Sequence, residues 1–221
     1  MPKNTPSYTG TLRSHSVTLP QCISECSGIR IFGRRIKSLA FSTDVAIVKN
    51  INADAIIAVY PFTPQPVISQ AIINVSDVPV FVGVGGGITT GARAVRLAIQ
   101  AEHQGAYGVV LNAPTANEVI HQIKEEVDIP VVITVVSEHT DVRARIEAGA
   151  DFLNVSGAAR TPEIVAHIRR QFPEVPIIAT GGPTEESILA TIRAGANAVT
   201  YTPPSNGELF AQLMEKYRET H

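Results

Sequence analysis

The chain has 221 residues, 44% of them hydrophobic, enough for one sizeable core and with no sign of disorder. Its formal net charge is −2 and its pI about 6.3, so no general basic field invites nucleic acid or an anionic membrane. The longest apolar runs are about strand length, well short of a membrane span. From the N-terminus, MPKNTPSYTG lacks the apolar centre of a secretory signal, and its Pro, Ser and Thr content reads as a loosely ordered tail of a cytoplasmic protein. Cys22 and Cys26 follow in a C-x3-C spacing that would place both on one helical face. Two cysteines are half a metal site at most, and reduced cytosolic thiols are the expectation. Residues 1–27 are taken as an N-terminal extension and 28–221 as one folded domain.

GIRIFGRRIK (28–37) alternates apolar and basic residues around Phe-Gly, which reads as a short hairpin covering one end of the fold. From there eight short, nearly all-apolar runs follow: SLAFS (38–42), AIIAVY (55–60), PVFVGV (79–84), GVVLNA (108–113), PVVITVV (130–136), FLNVSG (152–157), PIIAT (176–180) and AVTYT (198–202). Runs of this kind suit parallel strands buried on both faces. Helical patterns separate them, clearest at 92–104, 117–127, 162–172 and 185–195, with a last helix at 207–217. Glycine stops helices in IEAGADFLNV and IRAGANAVTY, and Thr161-Pro162-Glu163 and Thr184-Glu185-Glu186 mark helix starts. Eight strand–helix units in this length predict a single (β/α)8 TIM barrel with an N-terminal β-hairpin.

In that fold the site is built at the C-terminal ends of the strands. GVGGGITTG (83–91) leaves the third run. A dinucleotide fingerprint would follow the first strand and meet an acid after the next, and neither holds here. Tight turning explains one or two glycines, whereas three in a row suggest that a ligand approaches the backbone, so Gly85, Gly86 and Gly87 are candidate substrate contacts. SEHTD (137–141) is the densest titratable cluster: Glu138 and His139 could act as general base and acid, or be solvated beside a helix cap at Thr140 or Asp141. Asp44 could also be catalytic, in competition with capping the first helix. Asn112 and Asn154 could fix substrate hydroxyls or carbonyls, and Tyr201 ends the eighth strand. Thr180, Gly181 and Gly182 open the loop after the seventh strand, where backbone N–H groups and a helix start can hold phosphate. The next loop, TPPSNGE, fits less well because Pro203 and Pro204 have no N–H.

Absences narrow the chemistry. No lysine lies at a strand end, which disfavours an imine-forming aldolase. No H-x-H pair or H-E-x-x-H motif offers a zinc site. No resident cofactor or metal is expected, although Asp44 or Glu138 would suit a loosely held Mg²⁺.

VPIIATGGPTEESILATIRAGANAVTYT resembles the aldolase-type phosphate-binding TIM barrels, among them thiazole synthase, the keto-deoxy-phosphogluconate aldolases and the sugar-phosphate epimerases. The hairpin followed by SLAFSTD is similar to the opening of thiazole synthase. FSTDVAIVKNINADAIIAVYPFTPQP, GVGGGITTG, VVLNAP and VVSEHTD together resemble a family of bacterial barrels that carry the label "hydrolase" without a defined substrate. The resemblance implies a barrel enzyme acting on a small polar or phosphorylated metabolite. Pro203-Pro204 and the missing lysine depart from aldolase chemistry. The expectation is a hydrolase using rim acid–base groups. A non-imine lyase, an epimerase and a non-catalytic metabolite sensor are the alternatives. A small-molecule substrate is the expected partner, without nucleic acid or membrane, and a homo-oligomer is compatible with the sequence.

Overall fold

In the computed structural model, which describes residues 6–8, 10 and 16–220, all eight runs form strands. A two-stranded antiparallel hairpin comes first, β1 (Ile29–Ile31) and β2 (Arg34–Ile36), with Ile29 opposite Ile36. The barrel consists of β3 (Ser38–Phe41), β4 (Ala55–Ala58), β5 (Val80–Gly85), β6 (Gly108–Leu111), β7 (Val131–Val135), β8 (Phe152–Val155), β9 (Ile177–Thr180) and β10 (Ala198–Tyr201). Every neighbouring pair is parallel, and β10 closes the ring by pairing with both β9 and β3. The helices are α1 (Val45–Lys49), α2 (Pro66–Val75), α3 (Ala92–His103), α4 (Asn117–Glu126), α5 (Val142–Glu147), α6 (Thr161–Gln171), α7 (Glu185–Arg193) and α8 (Asn206–Thr220).

Strand side chains alternate between two faces, and the core divides accordingly. Leu39, Ala55, Ile57, Phe81, Val110, Val132, Ile178 and Ala198 fill the barrel, joined by Ile29, Ile31 and Ile36 from the hairpin. The hairpin therefore plugs the N-terminal mouth, as its pattern predicts. Tyr107 holds it there, donating to Ile31 O at 3.4 Å and meeting the Phe32 ring edge-on. The alternate residues, such as Ala40, Ile56, Val82, Val109 and Ile133, face the helices and pack with Ile72, Ala94, Ile120, Ile164 and Ile188.

The two chain ends exchange expected roles. The tail read at residues 1–10 lies mostly outside the described residues. Further on, Leu19, Ile23 and Cys26 join the outer core, and the 3-10 helix Gln21–Glu25 packs on α7. Burial pushes the Cys26 thiol up to about 11, and both cysteines are free. No residue of α8 belongs to that core, and Phe210, Leu213 and Met214 stand exposed on it. The last helix is thus present but peripheral, while the 3-10 helix Gln21–Glu25 packs on α7. Among the described residues no helix is long and apolar enough to cross a membrane.

Candidate functional site

The glycine turn is the first feature of the C-terminal mouth. Gly86 donates to Thr89 O at 2.8 Å, and Asn112 donates to Gly85 O at 3.0 Å. With φ at +103°, a Cβ on Gly86 would stand 2.6 Å from Asn112 N and 2.8 Å from Asn112 O. The close approach that these glycines permit is therefore made by the chain itself. Gly86 is buried against the Asn112–Thr115 turn. Gly85, Gly87 and Asn112 do line a cavity of about 120 Å³, with Val59, Tyr60, Phe62 and Ile88 among its other walls. Ile88 was not foreseen as part of the site; its signal was an isoleucine placed in an otherwise polar turn. Neither Glu138 nor His139 lines this cavity.

The other half of the mouth is polar. Thr134, Asn154, Thr180 and Thr200 stand two residues beyond Val132, Phe152, Ile178 and Ala198, so alternation puts them on the inner face. Asn154 Nδ2 donates to Thr134 Oγ1 at 3.3 Å, and Thr180 Oγ1 donates to Ser156 Oγ at 3.2 Å. Thr200 is only 6% exposed, and its Oγ1 is buried with no partner among the described residues. Thr134, Ser156 and Thr200 were not foreseen as a group. Tyr201, which was, packs partly against the helical layer while also lining the cavity above Thr200.

The SEHTD pair separates in space. Glu138 turns inward, its side chain 24% exposed, while that of His139 is 87% exposed, with Nε2 3.8 Å from Glu138 Oε1. Glu138 Oε1 accepts a hydrogen bond from Arg160 Nη2, and Oε2 is buried without a partner among the described residues. A hydrogen bond from its own backbone amide, and then the Arg160 guanidinium, hold the Glu138 carboxyl below its ordinary range. Glu138 and Glu163 together raise Arg160. Arg160 is presented by the turn Ala158–Arg160, where Ala158 has φ of +51°. A non-glycine residue in that region stores about 1–3 kcal/mol, a pattern found at functional sites. Asp141 caps α5 by accepting from Ala144 N at 3.0 Å.

The remaining candidates are partly committed elsewhere. Asp44 caps α1, its Oδ1 accepting from Ala46 N at 2.8 Å and Ile47 N at 3.3 Å. Gly181 N–H donates to Thr200 O at 3.1 Å, so it is not available to an anion, and a Cβ there would meet Val199 at 2.6 Å. Of the pair, Gly182 alone faces the cavity of about 540 Å³ formed with Thr180, Thr200, Tyr201 and the first turns of α8. The helix starts on this side are self-capped. Thr184 and Ser187 form a capping box, and Ser205 donates its N–H to Glu208 Oε2 at 2.7 Å. Ser205 also holds the Glu208 carboxyl below its ordinary range. An acidic side chain therefore stands where a phosphate would approach α8.

Among the described residues no three His, Cys, Asp or Glu side chains gather as a metal centre would require. Lys49 pairs with Asp77 at 2.5 Å and Lys124 with Asp151 at 2.9 Å, while Lys37 donates to Ser24 O. None of these three lysines lines either cavity of the mouth.

No protein-family model matches the chain. A thiamine-phosphate synthase of Geobacillus thermodenitrificans (strain NG80-2) is 38% identical over 78 residues, 29% of this chain and 35% of that enzyme's length. The chain thus matches about a third of that relative. Among solved structures, the phosphoenolpyruvate phosphomutase of Streptomyces platensis subsp. rosaceus superposes with TM-score 0.61 at 14% identity, covering 82% of this chain and 80% of the other. Phosphonopyruvate hydrolase, in complex with oxalate and Mg²⁺, superposes with TM-score 0.60 at 17% identity, covering 83% and 80%. At such identities the likeness establishes the architecture alone, an α/β TIM barrel.

Proposed function

We propose that this chain is an enzyme that transforms a small polar or phosphorylated metabolite by proton transfer at the β7–β10 side of the C-terminal mouth. The observation that carries this reading is the placing of the two buried oxygens that lack partners among the described residues. Glu138 Oε2 follows β7 and Thr200 Oγ1 lies on β10. Buried polar atoms are almost always paired, so such exceptions mark where a ligand or water completes the structure.

In this reading Arg160 receives the anionic end of the substrate, and Gly182 N–H adds a donor near Thr180 and Thr200. Glu138 is the proton acceptor. Free, it is a weak base, because its amide and Arg160 stabilise the carboxylate. An anion that draws the guanidinium away removes part of that stabilisation, so substrate binding raises the basicity of Glu138. Glu138 then takes a proton from a water that attacks the ester carbonyl or phosphorus, and returns that proton to the leaving oxygen as the ester bond breaks. A non-imine lyase or an epimerase would begin with the same transfer from a carbon acid. We name hydrolysis because the sequence motifs resemble those of barrels labelled "hydrolase". The barrels of the phosphomutase and the phosphonopyruvate hydrolase support phosphorylated substrates only as an analogy of fold. Asp44 and Glu138 each commit one oxygen within the protein. A loosely held Mg²⁺ would therefore take most of its oxygens from water and substrate, and activity with and without EDTA tests that dependence.

The test is a screen of phosphate esters and lactones, followed by Glu138→Gln on any substrate found. Turnover abolished with binding retained supports the proposal. Tight binding with no turnover of any compound would point to the metabolite sensor instead.

A further inference from the structure

Resting on that reading of the mouth, we infer that the inner floor of β7–β10 binds a hydroxyl-bearing carbon chain, so that the substrate is a polyol- or sugar-type compound. The floor is formed by Thr134, Asn154, Ser156, Thr180 and Thr200, and none of these residues carries a charge. Two pairs are tied across neighbouring strands, Asn154 to Thr134 and Thr180 to Ser156. Thr200 is the exception. It sits opposite Thr180 in the ladder, lines the same cavity, and its hydroxyl has no partner among the described residues.

Hydroxyls both donate and accept, and they reorient at little cost. A row of them therefore matches ligand groups with the same dual character. A ligand carboxylate or phosphate would instead call for cationic or backbone donors, which on this rim are Arg160 and Gly182, outside the floor. A flat apolar ring suits the β4–β6 side, with its Tyr60, Phe62 and Ile88 walls. The floor thus selects the hydroxylated middle of a substrate whose anionic end lies toward Arg160. Thr200 lines the cavity, and rotation about its χ1 exchanges its hydroxyl and methyl positions. A ligand hydroxyl arriving there would supply a partner for Thr200 Oγ1, which has none among the described residues.

This has an unusual consequence. An unpaired buried hydroxyl costs stability, and replacing it with an apolar group of the same shape removes the penalty. Thr200→Val should raise Tm, by about 2–4 °C for a gain near 1 kcal/mol in a chain of this size, and should also weaken the ligand. The probes are ribose 5-phosphate and propyl phosphate, which share a phosphate monoester but differ in hydroxyls, titrated into the intact protein with the mouth amides followed by NMR. We expect ribose 5-phosphate to bind on the order of tenfold more tightly, moving the amides of Thr180 and Thr200, and Thr200→Val to erase most of that difference while melting higher. Equal affinity of the two esters in the wild-type protein would overturn the inference and leave the anion reading standing. A Thr200→Val variant that keeps the full preference would do the same. If neither ester moved any mouth amide, the placing of the site would fail, and the inference with it.

Discussion

The two halves of the barrel mouth are built from opposite materials. On β3–β5 the last inner positions are Phe41, Val59 and Gly83, and the loops above add Tyr60, Phe62 and Ile88, with Phe62 and Ile88 largely exposed. On β7–β10 the inner positions are Thr134, Asn154, Thr180 and Thr200, bordered by Glu138 and Arg160. The glycines belong to the apolar half, where they let two turns of the chain touch. The ionisable pair belongs to the polar half, where two oxygens have no partner among the described residues. The glycines thus serve chain packing at Gly86 and wall a cavity at Gly85 and Gly87.

The sharpest way to break the contrast is to remove the base. Glu138→Gln keeps the side-chain shape and should lower turnover by about 10²–10⁴-fold with little change in binding; steady-state kinetics on an identified substrate decide it. Unchanged turnover would return SEHTD to a helix-capping loop. The companion variant, Arg160→Ala, removes one of the influences that lower the Glu138 pKa. The carboxyl then titrates nearer its ordinary value of 4.5, so the acid limb of the rate profile should move to higher pH. The sign follows from the depressed pKa. In the wild-type protein Glu138 stays ionised as pH falls through the usual carboxylate range, and the Glu138–Arg160 pair is lost only below it.

The apolar half should respond in stability rather than in chemistry. Gly86→Val forces a side chain into the Asn112–Thr115 turn from a backbone at φ of +103°. Overpacking and strain together should cost about 3 kcal/mol or more, seen as a lower urea midpoint. Gly87→Ala, with nothing within 4 Å of the added Cβ, should stay within about 0.5 kcal/mol. If Gly86→Val folded as well as Gly87→Ala while abolishing ligand binding, the turn would be a ligand contact after all.

Much of this architecture was legible in the sequence, because eight apolar runs separated by capped helices leave few alternatives. The order of strands, the hairpin and its place as a plug followed from periodicity and turn residues. What a strand's last residue does was harder to read, since one step changes the face: Thr200 stands on the inner face and Tyr201 packs partly against the helices, and both line the cavity. Gly181 looked like a phosphate donor, but its N–H is used by Thr200 O across the ladder, a pairing that no local pattern reveals. The core role of Leu19 and Ile23, and the exposure of α8, depend on which segment reaches α7. That is a competition between distant parts of the chain.

Asp44 offers a smaller and cleaner test of cap against catalyst. Asparagine caps nearly as well as aspartate, whereas alanine loses about 1 kcal/mol. If capping is its task, Asp44→Asn should leave both melting and rate close to wild type, and Asp44→Ala should lower Tm alone. A collapse of turnover in Asp44→Asn at unchanged stability would instead make it a catalytic carboxylate.

The smallest effect is expected at His139. Its ring is almost wholly in solvent, and the nearest carboxylate oxygen lies 3.8 Å away and already accepts from Arg160. An exposed pair of this kind contributes little to stability, and salt screens it further. His139→Asn should therefore change Tm by less than a degree or so, in line with surface substitutions of about ±0.5 kcal/mol or less. Its effect on rate should be at most a few-fold, since a group facing solvent cannot hold a proton against a substrate seated inside the mouth. The comparison with Glu138→Gln in the same assay is what matters. If His139→Asn proved the more damaging of the two, the acid–base role would belong to the outward-facing residue. The reacting atoms would then lie above the rim rather than over the hydroxyl floor.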